Sequence, residues 1–418
     1  MNRMPIDEFA DPRAAAYATP LEDFDVSKAR LFQADAQGPF FERLRREDPV
    51  HYCRQSSGGP YWSITKYNDI RQVDSDHQSF SSDSTLGGIT LHDRADDFRY
   101  PSFISMDEPL HRPQRMGVAP MFTPPNLAEL EDTIRSRAGA ILDRLPRDET
   151  FNWVQLVSIE LTSQMLATLL GFPFEERRKL IRWSNVATAN LNAGLISSEA
   201  ERDAILQECA DYFLGLWNER VNAEPGPDLI SMLAHSPATR HMDRRNFLGN
   251  LLLLIVGGND TTRNSISGGL LALNRFPDQY QKLRDDPSLV DNMVPEIIRW
   301  QTPVSYMRRT ALRDVELGGK TIRKGDKVLM WYTSGNRDEE MFERPDDFII
   351  DRRNARNHIS FGFGIHRCLG LRLAEMQLRV LWQEILKRFP VIEVVGEPKR
   401  ILSSLLRGYE ELPVRIAA

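Results

Sequence analysis

The chain has 418 residues, 41% of them hydrophobic, with a formal net charge of -6 and three cysteines. That length could hold two or three ordinary domains and a large core. The modest negative charge gives no reason to expect nucleic acid, and three cysteines argue against a disulfide framework.

Taken in chain order, the start Met1-Asn2-Arg3-Met4-Pro5-Ile6-Asp7-Glu8 lacks the basic and apolar regions of a signal peptide. No stretch reaches the roughly 18 apolar residues of a membrane span, so a cytoplasmic location without a membrane anchor is expected. Residues 1–35 are polar and weakly periodic, which predicts an arm on the surface. Short strands are expected at His51-Tyr52 and 61–64. Helices are expected at 130–145, 154–170, 174–189 and 200–221, where apolar residues recur at spacings of three and four. Residues 243–276 read as a helix of roughly 50 Å, capped by Asp243 and stopped by Pro277. Strands at 315–317, 327–331 and 414–416, a hairpin turn at Gly318-Gly319 and a last amphipathic helix from after Cys368 to Phe389 complete the pattern. The fold class is mainly α with small β-sheets. The chain has no dinucleotide fingerprint, P-loop or cysteine cluster, so nothing in it is evident to hold flavin or NAD(P)H.

Three segments carry chemistry. In the long helix, Leu251-Leu252-Leu253-Leu254-Ile255-Val256 gives way to Gly257-Gly258-Asn259-Asp260-Thr261-Thr262. Two glycines cost about 1 kcal/mol each inside a helix, which suggests close approach to a ligand, with Asp260 and Thr261 beside it for hydrogen bonding. The bland alternative is a glycine kink with hydroxyls bonded back to the preceding turn. Glu296-Ile297-Ile298-Arg299 pairs a carboxylate and a guanidinium at i and i+3; alone, such a pair is a solvated surface bridge. Finally, Phe361-Gly362-Phe363-Gly364-Ile365-His366-Arg367-Cys368-Leu369-Gly370 sets a cysteine in a glycine-rich loop where a helix begins. Glycines let the backbone approach a flat guest, and the helix start favours thiolate over thiol, the form in which sulfur ligates ferric iron. Cys53 and Cys209 have no such setting and read as small buried hydrophobes.

The pattern Phe-x-x-Gly-x-His-x-Cys-x-Gly around Cys368 resembles the haem loop of the cytochromes P-450, and Gly257-Gly258-Asn259-Asp260-Thr261 and Glu296-x-x-Arg299 resemble that family's other signatures. The resemblance implies the P-450 fold, a triangular helical prism enclosing haem b, built from a single haem-binding domain at 36–418. It assigns Cys368 to the iron, with Gly362 and Gly370 in the loop beside the haem, and His111, Arg115, Arg309 and His366 to the two propionates. It makes Asp260 and Thr261 the acid–alcohol pair that delivers protons for O-O cleavage, with O2 as co-substrate. Glu296 and Arg299 become a buried brace behind the haem loop. The third basic residue usual in that brace falls on Asp347 here, which leaves Arg344 and Arg352 as candidates to complete it.

Residues 257–264, 298–303, 307–312 and 330–338 look like those of the soluble bacterial alkane and fatty-acid terminal hydroxylases of this superfamily. This implies insertion of one oxygen atom into the terminal C–H bond of an n-alkane or fatty acid. The expected substrate pocket comprises Leu86, Ile89, Leu91, Leu253, Leu254, Gly257, Val304, Met307, Leu405 and Leu406, none of them charged. Such a lining gains roughly 0.8 kcal/mol per buried methylene without an anchoring ion. Electrons are expected from a separate ferredoxin and ferredoxin reductase, with Arg112, Arg352, Arg353, Arg356, Arg367 and Arg372 as a basic docking face. The alternatives are a P-450 acting on a terpene or steroid, a non-catalytic haem-thiolate sensor, which would need no acid–alcohol pair, a peroxide-using hydroxylase and a cysteine hydrolase.

Overall fold

The computed structural model describes residues 9–417. Within the expected N-terminal arm, α1 (Pro12–Ala18) is capped by Asp11, which accepts from the amides of Arg13 and Ala14, and α2 (Ala29–Gln33) follows. Phe24, Val26, Leu31 and Phe32 of this segment are buried with Phe41 and Trp331. Four well-spaced apolar residues therefore seat the arm although they make no periodic pattern; residues 1–8 lie outside the described part.

Next come α3 (Gln37–Glu47), the hairpin β1 (Val50–Cys53) and β2 (Tyr61–Ile64), α4 (Tyr67–Ser75) and β3 (Phe80–Ser81). The helical bulk follows: α5 (His111–Val118), α6 (Pro124–Leu142), then after β4 (Thr150–Asn152) α7 (Ile159–Leu170), α8 (Arg178–Thr188), α9 (Glu199–Val221), α10 (Leu229–His235) and α11 (Arg244–Arg275). α6 begins earlier than its apolar periodicity because Pro124 and Pro125 occupy the first turn, where a missing amide costs nothing. α7 starts later than expected, behind a π-turn at Val154–Ser158.

The C-terminal part holds α12 (Pro277–Asp285), α13 (Val290–Gln301), β5 (Met307–Ala311), β6 (Val315–Leu317), β7 (Lys320–Ile322), β8 (Lys327–Met330), α14 (Tyr332–Gly335) and α15 (Leu371–Arg388). β9 (Glu393–Val394), β10 (Lys399–Arg400), β11 (Tyr409–Glu411) and β12 (Pro413–Arg415) end it. The main sheet has the order β1-β2-β8-β5-β3, parallel only between β2 and β8. β6 and β7 form the expected hairpin about Gly318-Gly319, both at positive φ.

α11 is the central element, about 48 Å long at 1.5 Å per residue, with Asp243 capping the amide of Asn246 and Pro277 just past its end. It packs on α7, α8, α9, α13 and α15. The crossing with α13 is close: a Cβ at Gly268 would lie 2.2 Å from the Gln301 amide oxygen, and one at Gly269 2.8 Å from Ile297. Among the described residues no helix is long and apolar enough to cross a membrane.

Candidate active site

The brace is fully enclosed. Glu296 and Arg299 are both 0% exposed on α13. The Arg299 Nε and Nη2 atoms donate to the two Glu296 oxygens at 2.7 and 2.8 Å. Arg352 completes the brace, its Nε 3.1 Å from each of those oxygens, while Arg344 is solvent-facing and reaches toward Asp347. Two guanidiniums on one carboxylate leave a surplus positive charge in the interior. Backbone carbonyls absorb it: Arg299 donates to Asn336, Pro345 and Asp347, and Arg352 to Glu343, Arg344 and Asp347. Asp347 thus serves through its carbonyl, and a basic side chain there is unnecessary. Arg352, expected on a basic docking face, is instead buried here.

This brace is tied to the cysteine loop. Asn336 donates to Thr302 and Ser360 and accepts from the amide of Ile359, and Ser360 donates to the Ile298 carbonyl on α13. The Cys368 amide donates to Phe361 O at 2.8 Å, closing the loop. α15 begins only at Leu371, and burial pushes the Cys368 thiol up despite the Gly370 amide and the charges of Arg115 and Arg367. The expected thiolate therefore does not arise from the helix start alone; a bound cation such as iron would have to hold the charge.

His111 and His366 meet beside this loop with ring centroids 4.4 Å apart, and all four ring nitrogens are buried without hydrogen-bond partners. His111 Nδ1 comes no closer than 3.5 Å to Glu108. Burial, with Arg309, His111 and Arg115 nearby, pushes His366 down to about 2, so it is a neutral donor among cations. Arg115 reaches the Arg367 carbonyl at 2.6 Å. Arg309 departs from expectation in pairing at 2.7 Å with Asp74, a buried carboxylate of α4. Unpaired imidazoles among guanidiniums suit anionic oxygen, and a thiol in the same loop suits iron. A haem with two carboxylates fits this donor set.

On α11 the two glycines differ. A Cβ at Gly258 would press on Leu166 at 3.0 Å, whereas one at Gly257 would meet nothing within 4 Å. Thr261 lies one turn from Gly257 and donates to its carbonyl at 3.0 Å. Asp260 is 0% exposed and faces elsewhere, accepting from Ser184 of α8 at 2.9 Å, from Asn259 at 3.0 Å and from Arg263 at 2.6 Å. The two side chains are sequence neighbours on different sides of the helix.

The expected pocket residues divide. Backbone bonds join three of their segments: Arg308 N to Ile89 O, Ser305 N to Leu405 O, and a bridge between Val304 and Leu406. Ile89, Leu253, Val304, Met307 and Leu405 are half-buried. Leu91 is a correction: it is 0% exposed in a core cluster and lies against Gly58, where a Cβ would sit 2.5 Å from it. Leu254 and Leu406 are also buried, and Leu86 is 42% exposed. Alternation along an irregular loop gives no face from sequence alone.

Asp74 went unmarked in the sequence. Its signal is position: with Tyr67 and Ile70 it continues the buried stripe of α4, where an acid needs partners.

The Cytochrome P450 family profile matches residues 40–411. Linalool 8-monooxygenase of Pseudomonas putida is 36% identical over 94% of this chain and 99% of its own. A methyl-branched lipid omega-hydroxylase of Mycobacterium tuberculosis is 32% identical over 94% and 95%. Among solved structures, cytochrome P450-153 from Novosphingobium aromaticivorans superposes with a TM-score of 0.89 at 45% identity, covering 94% of this chain and 99% of that one. CYP153D17 from Sphingomonas sp. PAMC 26605 does so with 0.90 at 48%, covering 96% and 100%. Likeness of this extent, nearly end to end in every pair, means that the chain belongs to the cytochrome P450 family and is a haem-thiolate monooxygenase that uses O2.

Proposed function

We propose that this monooxygenase hydroxylates the terminal methyl of a medium aliphatic chain, an n-alkane or fatty acid, with haem b held by Cys368 and by His111, Arg115, Arg309 and His366. One observation carries the reading: Ile89, Val304, Met307 and Leu405, from segments knit together by backbone bonds, are half-buried and uncharged. With Leu253 they offer hydrocarbon and a thioether, which favours an alkyl chain by roughly 0.8 kcal/mol per methylene. The likeness to the P450-153 structures and to a lipid omega-hydroxylase supports the same reading.

When bound, the haem supplies the dioxygen chemistry, one oxygen atom entering a C–H bond and the other leaving as water. In this proposal Thr261 holds a proton at Oγ1 beside Gly257, and Asp260 is the acid that replenishes it once its side chain turns from Ser184 and Arg263 toward the Thr261 side. Ferredoxin and its reductase supply the electrons. A terminal C–H bond is stronger than an internal one, so regiochemistry depends on admitting only the chain end, a matter of geometry over intrinsic reactivity.

Titrating the ferric protein with alkanes, alcohols and fatty acids for a low-to-high-spin shift, then identifying products by gas chromatography, tests this. Primary alcohols should dominate, and trimming Val304, Met307 or Leu405 to Ala should raise the internal fraction. Mostly internal alcohols from the wild type would overturn the terminal reading. The 36% identity to linalool 8-monooxygenase favours a terpene as the second reading, recognised by a spin shift with terpenes and none with unbranched chains.

A further inference from the structure

The geometry points to Asp74 as a positioning residue for the haem, one buried carboxylate that fixes the propionate-facing Arg309 and the cysteine loop relative to each other and sets the charge at that end of the pocket. Asp74 lies in the last turn of α4 and is 3% exposed. Its Oδ1 accepts from Arg309 Nη2 of β5 at 2.7 Å. Its Oδ2 accepts from the Tyr332 hydroxyl of α14 at 2.9 Å and from the Phe363 amide of the cysteine loop at 2.7 Å. Three elements distant in sequence thus converge on one side chain, and every donor is charged or aimed at charge.

The loop is shaped to this contact. Gly362 and Gly364 have φ of +68 and +67. A Cβ at Gly362 would come 3.1 Å from Asp74 Oδ2, and one at Gly364 2.5 Å from the Asp74 carbonyl. These two glycines are therefore needed where the loop docks on α4, apart from any approach to a planar guest. Burial together with Asp74 holds the Tyr332 hydroxyl well above its usual range, so it remains a donor.

The electrostatic consequence follows. Arg309 reaches the haem end already partnered, so its attraction for a propionate is moderated, and a fixed negative charge stays near the haem edge. Removing that charge favours the ferrous state, the less positive of the two.

This inference rests on the reading of Arg309 as a propionate donor, and two variants separate the two. Asp74→Asn keeps the shape and an acceptor but removes the charge. Its ferric–ferrous midpoint potential, measured by spectroelectrochemistry on the substrate-free holoenzyme, should rise. Arg309→Gln should lower the potential and release haem to apomyoglobin about tenfold faster, the worth of one charge-assisted hydrogen bond. Unchanged haem release in Arg309→Gln would remove the propionate reading and this inference with it. An unchanged potential in Asp74→Asn, with Arg309→Gln behaving as expected, would overturn the role of Asp74 alone. Should Asp74→Asn fail to fold, Tyr332→Phe strips one donor from an intact charge and should lower the potential; a wild-type potential there also overturns the proposal.

Discussion

Sulfur and hydroxyl at two residues decide most of the proposed chemistry. Cys368 is half-buried, and its surroundings alone keep the thiol neutral, so in the proposed site its thiolate exists only with iron. Cys368→Ala should lose the thiolate-type Soret band of the reduced carbon monoxide complex and all oxygenation. Cys53→Ala and Cys209→Ala should keep both, since burial holds those thiols up, Cys53 at about 11. A thiolate-type band surviving in Cys368→Ala would dismiss the ligand. Thr261 offers its hydroxyl from the Gly257 carbonyl, while Asp260 is bound to Ser184 and Arg263. Thr261→Ala should therefore still bind substrate and consume NADH through the redox partners, with much of the reducing power lost as hydrogen peroxide. Full coupling of NADH to product would show that the proton is delivered elsewhere.

At the scale of elements, α13 and the loop from 343 to 352 stand or fall together. Arg352→Ala would take the side-chain donor from the Glu343 carbonyl, one of two donors each from the Arg344 and Asp347 carbonyls, and leave Glu296 with one guanidinium in the interior. Denaturant unfolding should show a loss of about 3 kcal/mol for it, against less than about 0.5 for Arg344→Ala at the surface. Equal losses would contradict the geometry. The sequence announced α11, the hairpin at Gly318-Gly319 and the last helix, because caps, stops and periodicity are local. It could not choose between Arg344 and Arg352, because that choice depends on how the intervening backbone turns, with Arg344 itself at positive φ. Nor could it sort Leu91 from Ile89, since an apolar residue reads alike in a core and in a pocket. Asp74 stayed hidden because a lone acid near a helix end ordinarily faces water.

Across the whole molecule, charge is unevenly placed. The net charge is -6, yet Arg112, Arg353, Arg356, Arg367 and Arg372 are all exposed and belong to the elements about Cys368. Arg115 joins α5 to the cysteine loop through the Arg367 carbonyl, and Arg356 faces Glu375 of α15 at 3.8 Å. Beside them, Leu110 and Met116 are 63% and 58% exposed. A basic patch with apolar residues on an acidic protein steers an acidic partner and rejects the protein's own copies. If an acidic ferredoxin docks here, raising ionic strength from about 0.01 to about 0.15 M shortens the screening length from roughly 30 to 8 Å and should slow the bimolecular reduction step by about tenfold. Arg353→Glu with Arg372→Glu should slow it similarly at low salt and raise the KM for ferredoxin, while the substrate-induced spin shift stays as in the wild type, because neither side chain is buried in the site. Stopped-flow reduction under carbon monoxide measures the step directly. A rate indifferent both to salt and to the double reversal would move the electron donor to another face of the molecule.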